Sequence, residues 1–173
     1  MKFEVVMGDI TRFPADAIVN AANTTLLGGG GVDGAIHRAA GPQLLEYCRK
    51  LNGCSTGDVA LSPAFDIQTA KYIIHTPGPR FSRGNVDLCE AFLAACYHNS
   101  LRLAESQGYL SIAFPSISTG AYAFPLDLAA KVVAKTFFVF RLTKPKLEKV
   151  SMVCADVETS AAYKRTFGDL GLT

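Results

Sequence analysis

The 173-residue sequence predicts an α/β fold on a largely parallel sheet covered on both faces. Three observations carry that prediction. Short apolar runs of strand length alternate with longer segments of helical period along the whole chain. Two of those runs, ending near Asn20 and Phe114, lead through loops rich in glycine and hydroxyls into helical segments. That order is expected of a parallel β-loop-α unit. The composition, 49% hydrophobic and 18% charged, belongs to a globular chain that can bury a core. No internal repeat, low-complexity tract or composition shift marks a boundary, so residues 1–173 are expected to form one domain.

The elements follow in order. Phe3 to Met7 reads as the first strand and Ala17 to Asn20 as the second. Asp33 is placed to cap a short helix that stops at Gly41, and Pro42 opens the next helix, through about Leu51. Val59 to Ser62 and Tyr72 to Thr76 read as strands. Asp87 and Glu90 form a pair resembling a capping box before the amphipathic run from Leu88 to Glu105, which stops before Gly108. Leu110 to Phe114 is a strand, and Pro125 opens a helix through Phe140. Val150 to Cys154 is the last strand, followed by a helix to about Phe167.

Several function classes are excluded at this level. The formal charge of +2 carries no basic stripe, and Lys144, Lys146 and Lys149 read as a solvated turn, so direct nucleic-acid binding is not expected. The five cysteines form no Cys-x-x-Cys pair, which argues against a disulfide framework or a zinc site. Met1-Lys2-Phe3-Glu4 is not an apolar signal segment and no run is long enough to span a membrane, so a reducing cytoplasm is expected; a monomer is expected as well.

The chemistry concentrates in two loops. The first runs from Asn20 and Asn23 through Gly28-Gly29-Gly30-Gly31 to Val32 and Asp33. The second is Ser116-Ile117-Ser118-Thr119-Gly120-Ala121-Tyr122. Glycine lets backbone N–H groups converge on an anion, and a following helix N-terminus adds its dipole. Gly30, Gly31 and Val32 in one loop, and Ser118 to Tyr122 in the other, are the candidate phosphate donors. Neither loop contains Lys, so neither is a Walker-type P-loop and no metal or cofactor is implied. One such loop suits one phosphate. Two, facing each other at the ends of neighbouring strands, suit a diphosphate. The competing reading is that both are tight turns.

The strings Asn20-Ala21-Ala22-Asn23 and Leu26-Leu27-Gly28-Gly29-Gly30-Gly31-Val32-Asp33-Gly34-Ala35-Ile36-His37-Arg38-Ala39-Ala40-Gly41 resemble the ADP-ribose-binding macrodomain, in its hydrolytic MacroD-type branch. The resemblance extends in order through Gly8-Asp9-Ile10-Thr11, Cys54-Ser55-Thr56-Gly57, Ile74-His75-Thr76 and Phe114-Pro115-Ser116-Ile117-Ser118-Thr119-Gly120. It implies a three-layer α/β/α sandwich on a six-stranded mixed sheet, with the ligand cleft at the strand ends. A zinc-binding insert found in one branch of the family is disfavoured, because the glycines run straight into Val32-Asp33. The implied substrates are mono-ADP-ribosyl groups on acidic side chains of proteins and O-acetyl-ADP-ribose. The alternative is a non-catalytic module that only reads ADP-ribose. A Mg-dependent nucleotide hydrolase lacks the Lys and acidic ligands it needs.

Each site residue has two readings. Asp9 could accept from the adenine amine, with the Ile10 N–H donating to a ring nitrogen, as the resemblance implies; it could equally serve its own turn. Asn23 can bond ribose hydroxyls or hold a turn, and Asp33 can orient or deprotonate a water or cap the helix. An N-cap carboxylate is a weakened base, which favours positioning. Asn20, within the binding loop, is expected to buttress it through buried hydrogen bonds. His75 reads as a core histidine, and His37 is expected to pack beside the glycines without a catalytic role. Phe124 could cover the distal ribose, as the resemblance implies, or belong to the core. At Ala155 the sequence departs from the aromatic that many relatives stack on adenine.

Overall fold

The computed structural model describes residues 1–173. Six strands form one mixed sheet: β1 (Lys2–Met7), β2 (Ala15–Ala22), β3 (Ala60–Pro63), β4 (Ala70–Pro77), β5 (Ser111–Phe114) and β6 (Lys149–Cys154). Their spatial order is β1-β6-β5-β2-β4-β3. Every pairing is parallel except that of β3, an antiparallel edge strand on β4. Five helices complete the three layers: α1 (Gly31–Ala40), α2 (Pro42–Leu51), α3 (Val86–Ser106), α4 (Leu126–Arg141) and α5 (Val157–Asp169). The α/β fold, with its six-stranded mixed sheet, is as expected.

Strand periodicity decides which side chains meet which helices. Ile18, Ile73, Ala113 and Val153 pack under Ile36 and Ala40 of α1 and Leu44 and Cys48 of α2. Val19, Ile74, Ile112, Phe114 and Met152 point the other way, into the layer of α3, α4 and α5. That second core is aromatic, with Phe137 of α4 ringed by Phe3, Tyr97, Phe114 and Phe167. Ile18 lies opposite Ile73, and two residues further along Asn20 lies opposite His75. Both polar side chains are therefore carried to the α1 face.

Two helix starts differ from expectation. Asp33 is not the cap of α1: Gly30 holds that position, without a side-chain cap bond, and Asp33 lies inside the first turn. The glycine run lets the helix begin earlier, so the carboxylate turns inward. Asp87 and Glu90 form no capping box, because Asn85 precedes α3 without a cap bond and Asp87 only occupies its first turn. A side-chain cap does start α5, where Asp156 accepts from the Thr159 N–H at 2.8 Å.

The topology defines a crevice. From β2 the chain moves toward β4 through α1 and α2 on one face. From β5 it moves toward β6 through α4 on the other face. The carboxyl ends of β2 and β5 therefore part at a topological switch point, where open α/β sheets bind ligands.

Candidate functional site

Two sets of free backbone donors meet this crevice. In the loop after β5, the N–H groups of Ser118, Thr119, Gly120, Ala121 and Tyr122 donate to no protein acceptor. In the loop after β2, Gly28, Gly29 and Gly30 and the first-turn amides Gly31, Val32 and Asp33 are equally free. Unpaired helix N-terminal amides are general, but two such sets at one crevice are suited to cradle an anion. Gly30 and Gly31 have no atom within 4 Å of a built Cβ, so the cradle is open there, and Gly31 takes φ +57°.

The rear of the first loop is tight. A Cβ on Gly34 would lie 2.5 Å from the Gly29 carbonyl oxygen and 3.1 Å from Arg38 Nη1. Only glycine lets α1 approach its own loop this closely. Gly34→Ala is expected to cost about 1–3 kcal/mol of stability, the scale of overpacking, measured by urea unfolding. An unchanged midpoint would show that the loop relaxes freely.

Asn23 and Asp33 come together. A Cβ on Gly29 would sit 3.3 Å from Asp33 Oδ2 and 3.5 Å from Asn23 Nδ2. Asn23 also holds the turn: its Nδ2 donates to Gly28 O at 2.8 Å, and its Oδ1 accepts from Thr25 Oγ1 at 2.6 Å and the Leu26 N–H at 3.1 Å. One amide hydrogen remains for a ligand. Asp33 is 5% exposed, and its Oδ1 accepts from Asn20 Nδ2 at 2.8 Å, with His37 Nε2 3.4 Å away. His37 packs against Gly28. Asn20 is fully buried and reaches the crevice only through Asp33.

The second loop is held from below by Tyr97 and Tyr163, which the sequence did not single out. Tyr97 Oη accepts from the Ile117 N–H at 3.0 Å and donates to Pro115 O at 2.8 Å. Ser116 Oγ bonds Thr119 Oγ1 at 2.7 Å and Tyr163 Oη at 2.8 Å. Burial pushes the Tyr163 phenol up to about 12, and it raises that of Tyr97 well above its ordinary value. Both stay neutral hydrogen-bonding groups. Phe124 is buried and packs on Phe81 at 5.0 Å between ring centroids, so a core role is present. From the exit of β4, the Arg80 guanidinium covers the Tyr122 ring at 4.9 Å, placing a cation at the rim of a lysine-free loop.

Ser118 and Ala123 hold left-handed backbone conformations, φ 66° and 58°. Alanine gains nothing there from its Cβ. Ala123→Gly is expected to stabilise the protein by about 0.5–1 kcal/mol, raising Tm by about 2–3 °C. A lower Tm in calorimetry would contradict that reading.

At the far end of the rim, the Gly8 N–H bonds Cys154 O at 3.0 Å and so brings Asp9 beside Ala155. Asp9 Oδ1 accepts from the Thr11 N–H at 2.9 Å and Thr11 Oγ1 at 2.7 Å, and these bonds hold its carboxyl below the ordinary value. The turn role is thus present, and it uses only Oδ1. Ile10 is buried beneath. Ala155 is exposed and offers no ring. A separate cavity of about 780 Å³, lined by Thr24, Asn52, Cys54, Ser55 and Asp58 among others, shares only Thr24 with the first loop.

Residues 19–133, which contain both loops, match the Macro domain family model. The chain belongs to the macrodomain family. A Macro domain-containing protein of Lactiplantibacillus plantarum is 48% identical over 98% of each chain. An O-acetyl-ADP-ribose deacetylase of Klebsiella pneumoniae is 49% identical over 94% of each. Among solved structures, a mutant Oceanobacillus iheyensis macrodomain with ADPR superimposes with a TM-score of 0.91 at 40% identity, covering 98% of this chain and 93% of that one. No helix of this macrodomain is long and apolar enough to cross a membrane, and all five thiols are free.

Proposed function

We propose that this macrodomain binds ADP-ribose and hydrolyses its esters, releasing mono-ADP-ribosyl groups from acidic protein side chains, the acetyl group of O-acetyl-ADP-ribose, or both. The observation that carries the reading is the pair of free amide sets at the ends of β2 and β5, with Asp33 buried at their edge. The diphosphate lies between Gly30, Gly31 and Val32 on one side and Ser118 to Tyr122 on the other. Adenine extends toward Asp9 Oδ2 and the Ile10 N–H, and the distal ribose toward Asn23 and Asp33. Asp33 orients the attacking water; its proton passes to Asp33 or to the ligand's phosphate as the ester bond opens. The Klebsiella relative's name and the ADPR in the Oceanobacillus structure support this reading. A module that only reads ADP-ribose has no use for a carboxylate held this way.

Calorimetry tests the binding half. ADP-ribose should bind in EDTA as well as in Mg²⁺, and more tightly than AMP, which lacks the second phosphate and distal ribose. No binding, or strict metal dependence, would sink the assignment.

The bare adenine face gives a second expectation. Ala155→Tyr should tighten ADP-ribose by about 1 kcal/mol, the lower end of base–aromatic stacking because the ring must be ordered. Turnover of bound substrate should stay nearly constant. Weaker or equal binding would mean that the base lies elsewhere or is already covered.

A further inference from the structure

Behind Asp33 runs a polar chain that an anion cradle does not need. His75, 1% exposed on β4, has Nδ1 3.1 Å from Asn20 Nδ2 and Nε2 2.8 Å from Ser62 Oγ. Ser62, 1% exposed on β3, directs its hydroxyl to Pro63 O at 3.0 Å. Asn20 Nδ2 then donates to Asp33 Oδ1 at 2.8 Å. The chain crosses from the antiparallel edge strand to the first turn of α1.

The hydrogens along it have one consistent arrangement. Asp33 Oδ1 accepts, so the Asn20 atom beside it is the donor nitrogen, which also faces His75 Nδ1; Ser62 Oγ, with its hydrogen on Pro63 O, is placed to accept from His75 Nε2. His75 must therefore carry its proton on Nε2 and leave Nδ1 bare. The bare Nδ1 accepts from that nitrogen, which holds the Asn20 amide with nitrogen toward the histidine. The second hydrogen of the same nitrogen faces Asp33. Turning the amide over would set its oxygen against Asp33 Oδ1 and His75 Nδ1, acceptor against acceptor on both sides.

Arranged this way, Asn20 Oδ1 has no partner. A buried acceptor without a donor is costly, and it persists here because both hydrogens of that amide are in use. Burial, with His37 nearby, pushes the His75 imidazole down to about 3, so the ring keeps the neutral form that the chain requires.

We propose that His75, locked by Ser62 as its Nε2–H tautomer, is a positioning residue that orients Asn20 and, through it, the Asp33 carboxylate. The proposal rests on the role given to Asp33 above. An apolar side chain would fill the same space in the core. What it could not supply is the acceptor that sets the direction of the amide.

The test combines spectroscopy with kinetics. In protein with 15N-labelled histidine, His75 should show a protonated Nε2 and a bare Nδ1, unchanged from pH 7.5 down to 4.5. An Nδ1–H tautomer, or titration near 6.5, overturns the proposal. With an ester-linked ADP-ribosyl substrate, His75→Leu should lower kcat by about tenfold, the effect of misplacing a reacting group, with KM within about twofold. His75→Asn, whose Oδ1 replaces the Nδ1 acceptor, should recover most of the loss. A folded His75→Leu variant with the parental kcat, or one that the asparagine fails to rescue, overturns the proposal.

If the leucine variant does not fold, Ser62→Ala carries the test, since it removes one hydroxyl. It should populate the Nδ1–H tautomer and lower kcat by about threefold. An unchanged tautomer with unchanged kcat contradicts the proposal. Asp33→Ala run alongside separates the two ideas: parental activity there defeats the role of Asp33, whatever the histidine does.

Discussion

Asp33→Ala is expected to reduce ester hydrolysis by about 10²-fold or more, the scale of a lost acid–base or water-positioning group. ADP-ribose affinity should change far less. The two sets of backbone donors do not involve the Asp33 side chain, so the cradle persists. The carboxylate nevertheless accepts from Asn20 Nδ2. Truncation leaves Asn20 Nδ2 with one hydrogen unanswered, at a cost of about 1–3 kcal/mol of stability. Asp33→Asn keeps an acceptor for that hydrogen while losing the carboxylate, and it should be equally slow with a smaller loss of Tm. Rapid-quench assays with matched calorimetry check both variants. Parental rates in either would return Asp33 to a purely structural role at the start of α1.

Acid sensitivity above pH 4.5 is expected to come chiefly from His75. The ring has an ordinary value of 6.5 and is pushed down to about 3 in the folded chain, first by burial and then by His37. Below pH 6.5 the unfolded chain takes up a proton that the folded chain refuses, so stability falls as pH falls toward the depressed value. The slope is about 1.4 kcal/mol per pH unit, so about 2–3 kcal/mol should be lost between pH 6.5 and 4.5. Glu4, Asp9 and Asp156 are held low in the folded state by hydrogen bonds or an ion pair, and they add their own losses only as carboxylates begin to protonate. Urea unfolding at both pH values measures the effect. His75→Asn should flatten the profile in that window. An equally steep profile in the variant would assign the acid sensitivity elsewhere.

The sequence made the outer features of this site legible, and its depth much less so. Pro42 and Leu51 bound α2 as expected, because proline at a first helical position is a local signal. The two loops could be placed after β2 and β5 because an apolar run and a glycine cluster lie within one stretch of chain. At Asp33 the local pattern misleads about the helix start alone. A carboxylate after glycines reads as a cap, but the glycines let α1 start three residues earlier and carry the side chain inside. Phe124 reads from the sequence as ribose cover or core, and its contact with Phe81, far away in sequence, comes only with the fold. The supports of both loops lie at long sequence separations. Asn20 meets His75 across 55 residues, and Ser116 meets Tyr163 across 47. No local pattern encodes such pairs. They follow from strand order, which brings β4 beside β2, and from the packing of α5 under the end of β5. Period-2 alternation from Ile18 could have put Asn20 on the α1 face, but its partner there required the fold.

One measurement reaches the centre of this account: single-turnover reaction of excess protein with an ester-linked ADP-ribosyl protein and with O-acetyl-ADP-ribose, both in EDTA. Release of ADP-ribose from at least one substrate is expected, at a rate unchanged by Mg²⁺ and lost in Asp33→Ala. Tight binding of both substrates with neither bond broken would contradict it, and would make this macrodomain a reader of ADP-ribose.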